Sequence, residues 1–76
     1  MDQAERDWQE RAKALLRAEL TRRQMTVRDL AERLQESGAG NSRVLENKIA
    51  RGAFSAGFFV QCLETIGVKH LQLDND

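Results

Sequence analysis

The chain has 76 residues, with twelve Lys+Arg against twelve Asp+Glu, 41% hydrophobic residues, one cysteine and no proline. That length fits one domain over 1–76, and the apolar share is too high for a disordered segment. The balanced charge argues against simple wrapping by nucleic acid, and the lone Cys62 excludes an internal disulfide or a multi-thiolate metal site.

The first predicted helix spans about 2–23, with Trp8, Ala12, Leu15, Leu16 and Leu20 in a stripe near the 3.6-residue period. Acids crowd its start (Asp2, Glu5, Asp7, Glu10) and bases its end (Arg17, Arg22, Arg23), an order that complements the helix dipole. A second helix opens at Thr26, a good N-cap with Asp29 three residues on. Val27, Leu30, Ala31 and Leu34 follow at helical spacing, and Ser37-Gly38 closes the segment, with Gly38 suited to a left-handed C′ position.

Asn41 or Ser42 caps a third helix over about 42–51. Its inner face is assigned Val44, Leu45 and Ile49. Its outer face carries Arg43, Glu46, Asn47, Ala50 and Arg51, with Lys48 at the boundary. Ser55 caps a fourth helix over about 56–66, whose stripe is Phe58, Phe59, Cys62, Leu63 and Ile66; Gly67 and Val68 end it. The remaining KHLQLDND, with Leu71 and Leu73 alternating, reads as a short extended tail. The fold class is all-α: a compact four-helix domain of helix-turn-helix type with that tail.

TVRDLAERL, a glycine-bearing turn, SRVLENKIARG and SAGFFVQCLETIGV together resemble the repressor-like (lambda-repressor-like) helix-turn-helix domains. The longer run from Trp8 through LA.RL to NKI.RG.FSA.FF, extending to about Leu73, is similar to an uncharacterised bacterial domain family of about this length. The repressor-like resemblance implies duplex DNA as the partner and a small transcription regulator as the function; a homodimer is expected because two-fold pairing doubles the few phosphate contacts of so small a domain. Departures from that pattern are the long turn containing GAGN, Val27 where a glutamine is common, and Ala50 where a glutamate is common.

A helix that reads the major groove needs side chains matching base edges, since arginine pairs bidentately with guanine and asparagine with adenine. Arg43, Asn47 and Arg51 are the candidate base readers. Arg22, Arg23, Arg28 and Lys48 are the candidate phosphate anchors. Glu46 in the middle of that face opposes phosphate. An arginine-bearing face also suits plain solvation. The alternative function is a protein–protein interaction module that kept the fold and lost DNA reading, with Trp8, one of Phe58 and Phe59, Leu71 and Leu73 as its apolar surface.

No nucleophile–base pair, phosphate loop or carboxylate pair stands out, so neither an enzyme, a cofactor, a metal site nor a small-molecule substrate is expected. His70 has no ligand partner nearby in sequence. The polar, acidic opening MDQAERDWQE is not a secretory leader, and no apolar run reaches the roughly 20 residues of a membrane span. A reducing, cytoplasmic setting fits the single cysteine. The neutral total also divides unevenly: acidic 1–10 and 70–76 offset a basic stretch over 11–28, where six Lys+Arg face only Glu19.

Overall fold

Four α-helices follow one another along the chain: α1 (Gln3–Arg22), α2 (Val27–Glu36), α3 (Ser42–Arg51) and α4 (Ala56–Thr65). The computed structural model describes residues 2–52 and 54–73. Each helix starts on a side-chain oxygen that accepts an otherwise orphaned backbone N–H: Asp2, Thr26, Asn41 and Ser55, in that order. At Thr26 the cap is reciprocal. Its hydroxyl accepts from the Asp29 N–H at 3.0 Å, and the Asp29 carboxylate accepts from the Thr26 N–H at 2.8 Å. Those Thr26 hydrogen bonds, the backbone one foremost, hold the Asp29 carboxyl below the usual carboxylate range.

Three helices end in the same backbone device. The third residue beyond the helix donates to a carbonyl five residues back: Met25 to Leu20, Ala39 to Leu34 and Val68 to Leu63, each at 2.9 Å. This Schellman geometry requires a left-handed residue just before the donor. Gly38 and Gly67 fill that position at φ 91° and 82°, while at the α1–α2 corner it is Gln24, at φ 57°. A side chain there costs about 1–2 kcal/mol, partly offset by the flexibility that glycine would add to the unfolded chain. Gln24→Gly is therefore expected to raise stability by about 0.5–1 kcal/mol. A urea-melt comparison checks this, and an unchanged or lower midpoint contradicts it.

The core is a single cluster drawn from all four helices: Leu16 and Leu20, then Leu30, Ala31 and Leu34, then Leu45 and Ile49, then Phe58, Cys62 and Leu63, with Ile66 just beyond. The α2–α3 pair packs most closely, and α1 and α4 cover it. The radius of gyration, 12.1 Å, is near the roughly 11 Å expected of a compact chain this long.

The expected stripe of α1 is buried only in its second half. Leu16 and Leu20 enter the core, Ala12 and Leu15 are half-buried, and Trp8 is 72% exposed. The reason is length: α1 has twenty residues and the helices it packs on have ten, so its first turns run beyond them. Phe58 faces inward, and Phe59 is half-buried with its ring stacked on Phe54, centroids 5.8 Å apart. Beyond α4 the chain bends at 69–70. Leu71 packs back on the core, and the Leu73 carbonyl accepts a hydrogen bond from Arg11. The rest of the expected extended tail, 74–76, lies outside the described residues.

Cys62 is fully buried in α4, and desolvation pushes its thiol up to about 11, against a smaller opposing effect of Lys48. The unfolded thiol ionises near pH 8.5–9. The neutral native thiol thus contributes stability that is complete below that pH and is lost as pH rises toward about 11. Urea midpoints measured from pH 8 to 11 are expected to fall more steeply for the native chain than for Cys62→Ala. Parallel slopes would contradict this.

Candidate nucleic-acid interface

The third helix is anchored from behind by Leu45 and Ile49, which are four residues apart and therefore on one face. The rest of the helix is largely open: Arg43, Val44, Asn47, Lys48, Ala50 and Arg51 are all exposed. The structure corrects one assignment here. Val44 is not on the inner face but 65% exposed. At 100° per residue it lies about 140° from Ile49, so it cannot share Ile49's side of the helix.

The turn before α3 is five residues long, 37–41, and still leaves this face outward. Its ends are fixed by polar groups. Asn41 caps α3, and the Gln35 side-chain carbonyl reaches across from α2 to accept the Ser42 N–H at 2.6 Å. Ala39 packs against the core, which draws the middle of the turn inward.

Two shallow depressions flank the outer face of α3. Val44, Asn47, Lys48 and Arg51 line the first. Arg28, Glu32, Ser42, Arg43, Glu46 and Asn47 line the second. Asn47 belongs to both, so the three expected base readers and Arg28 form one continuous surface around it. Within that surface Arg28 Nε lies 3.7 Å from a carboxylate oxygen of Glu46, linking the start of α2 to α3. The acid that opposed phosphate is thus partly offset by a cation in place. Lys48 extends over α4, its Nζ 4.1 Å from the centre of the Phe58 ring. A ring face attracts an ammonium without cancelling its charge.

Arg22 and Arg23 are placed differently. Both bind Glu19, at 3.0 and 2.6 Å, and Arg23 also donates to the Glu19 main-chain carbonyl at 3.1 Å. The Glu19 side chain is only 4% exposed, so this is an inward clamp that closes the end of α1. Removing either arginine leaves Glu19 with one partner instead of two. Neither arginine lines the two depressions beside α3. The i+3 and i+4 spacing of Arg22 and Arg23 from Glu19 is the sequence signal for this clamp.

Among the described residues no group of three or more His, Cys, Asp or Glu side chains is arranged to hold a metal ion. No described helix is long and apolar enough to cross a membrane.

Two short helices packed together, the second presenting a polar face and both covered by α1 and α4, make this a four-helix all-α domain consistent with a helix-turn-helix-like fold. The chain belongs to a family described as a domain of unknown function, DUF6471, whose model matches residues 8–71. No curated protein and no solved structure matches the chain.

Proposed function

We propose that this protein binds duplex DNA sequence-specifically, laying α3 in the major groove, and acts as a small cytoplasmic transcription regulator. The observation that carries this reading is the single outward surface on which Arg43, Asn47 and Arg51 stand together, with Arg28 and Lys48 on its flanks. Four cations on that surface face two acids, Glu32 and Glu46, so the local charge is positive although the whole chain is neutral. Arg43, Asn47 and Arg51 read base edges, and Arg28 and Lys48 hold phosphates. Arg22 and Arg23, committed to Glu19, contribute only their remaining positive charge near the end of α1. A face this small makes few phosphate contacts, which favours a two-fold dimer on a repeated half-site.

The test is a fluorescence titration of the full chain against a pool of random duplexes. Binding is expected at low salt and should weaken steeply as salt rises, because each neutralised phosphate releases counterions. An absence of binding at low salt would overturn the reading.

One observation favours the second reading, a protein-interaction module. Trp8 and Leu73 are 72% and 62% exposed. They sit at the same end of the molecule, because Arg11, one turn from Trp8, holds the Leu73 carbonyl. In that reading Trp8→Ala abolishes capture of a partner, while substitutions on α3 leave capture intact.

A further inference from the structure

Val44 is the exposed aliphatic side chain in a face otherwise made of charges, an amide and one alanine. The fold has no use for it there. Its side chain takes no part in the core, and a β-branched residue on an exposed helix position is worse for the helix than alanine or lysine. Its position is nevertheless specific. Val44, Asn47, Lys48 and Arg51 stand at i, i+3, i+4 and i+7 and line one depression together. Along the axis Val44 precedes Asn47 by about 4.5 Å, between one base step of roughly 3.4 Å and two.

The neighbours decide what kind of group Val44 meets. An apolar protein surface would have to strip water from Arg43, Lys48 and Arg51 to reach it. A DNA groove supplies phosphates and base acceptors for those same cations, and one apolar group on its major-groove edge, the pyrimidine C5-methyl. We propose that Val44 is a specificity-determining residue that packs on a pyrimidine C5-methyl, of thymine or 5-methylcytosine, next to the base contacted by Asn47. This rests on the DNA-binding reading above and adds a base preference to it.

The experiment selects a preferred duplex from a random pool with the full chain, then edits its methyl groups one at a time. Uracil replaces each thymine, and 5-methylcytosine replaces each cytosine. One position is expected at which the methyl changes affinity about three- to tenfold, the worth of burying one such group. Val44→Ala should bind that site equally with and without the methyl, and Val44→Thr, which keeps a branched methyl, should retain the difference. An effect from the uracil arm assigns the methyl to thymine. An effect from the other arm assigns it to 5-methylcytosine. Sequence-specific binding that ignores every methyl, or a methyl effect that survives in Val44→Ala, overturns the Val44 inference and leaves DNA binding standing. If no duplex is selected, both fall together. A melting curve of Val44→Ala matching the native chain confirms that the variant is folded.

Discussion

Replacing Leu30 by alanine is expected to remove a large share of the domain's stability. Leu30 is fully buried in the middle of α2, within the cluster that joins all four helices. Truncating such a side chain forfeits its transfer free energy and leaves a cavity, together about 2–5 kcal/mol. A chain of this length has only roughly 4–11 kcal/mol of total stability to lose. The corresponding drop in midpoint is roughly 10–40 °C, because a small domain has a small unfolding entropy. Calorimetry or a circular-dichroism melt reads it directly. Val44→Ala, on the same scale, should move the midpoint little, since that side chain contributes nothing to the core. A Leu30→Ala midpoint within a few degrees of the native one would mean that α2 is not the centre of the fold.

The second large effect concerns recognition. Arg43→Ala and Asn47→Ala are each expected to weaken binding to the preferred duplex by about 1–3 kcal/mol, or roughly 5- to 150-fold. Both side chains are exposed and make no side-chain hydrogen bond within the described residues. Both variants should therefore melt like the native chain. Arg28→Ala should behave otherwise. It removes a phosphate anchor and also exposes Glu46, so affinity should fall on every sequence alike and the salt dependence should flatten. Equal losses from all three variants on specific and random duplexes would point to general electrostatic attraction in place of base reading.

Much of the architecture was legible because its determinants are local. The Thr26–Asp29 box, the Ser55 cap and the glycines at 38 and 67 act within one turn of chain, and the structure has each where the sequence placed it. The outward face of Arg43, Asn47 and Arg51 was legible for the same reason, since helical spacing alone puts them on one side. What was not legible depends on distance in space. The Arg28–Glu46 contact joins residues on separate helices, and no periodicity within one segment reveals it. The burial of Glu19 requires knowing that α1 closes on its two arginines, although their spacing hinted at the pair. Trp8 matched the apolar stripe of α1 and is exposed all the same, because a helical pattern cannot show where the neighbouring helices end. Val44 is the instructive case. Three apolar residues in ten invite a common face, yet the angle between Val44 and Ile49 already forbids it.

Gly52 ends α3 at φ 75°, and a Cβ there would lie 3.0 Å from the Cβ and Cδ of Lys13 on α1. Any side chain at 52 would therefore be strained in its left-handed backbone and would need the Lys13 stem to give by a few tenths of an ångström. The aliphatic stem of Lys13 thus works as a stop against which the far end of α3 is set. α1, the longest described helix and one none of whose residues lines the face around Asn47, thereby bears on how α3 is seated, and in the proposed DNA complex on the pitch of that face. A substitution at Gly52 would then register first as a change in how α3 sits on Lys13. On the proposed DNA-binding reading, such a variant would lose affinity by misalignment, with every base-reading side chain still present.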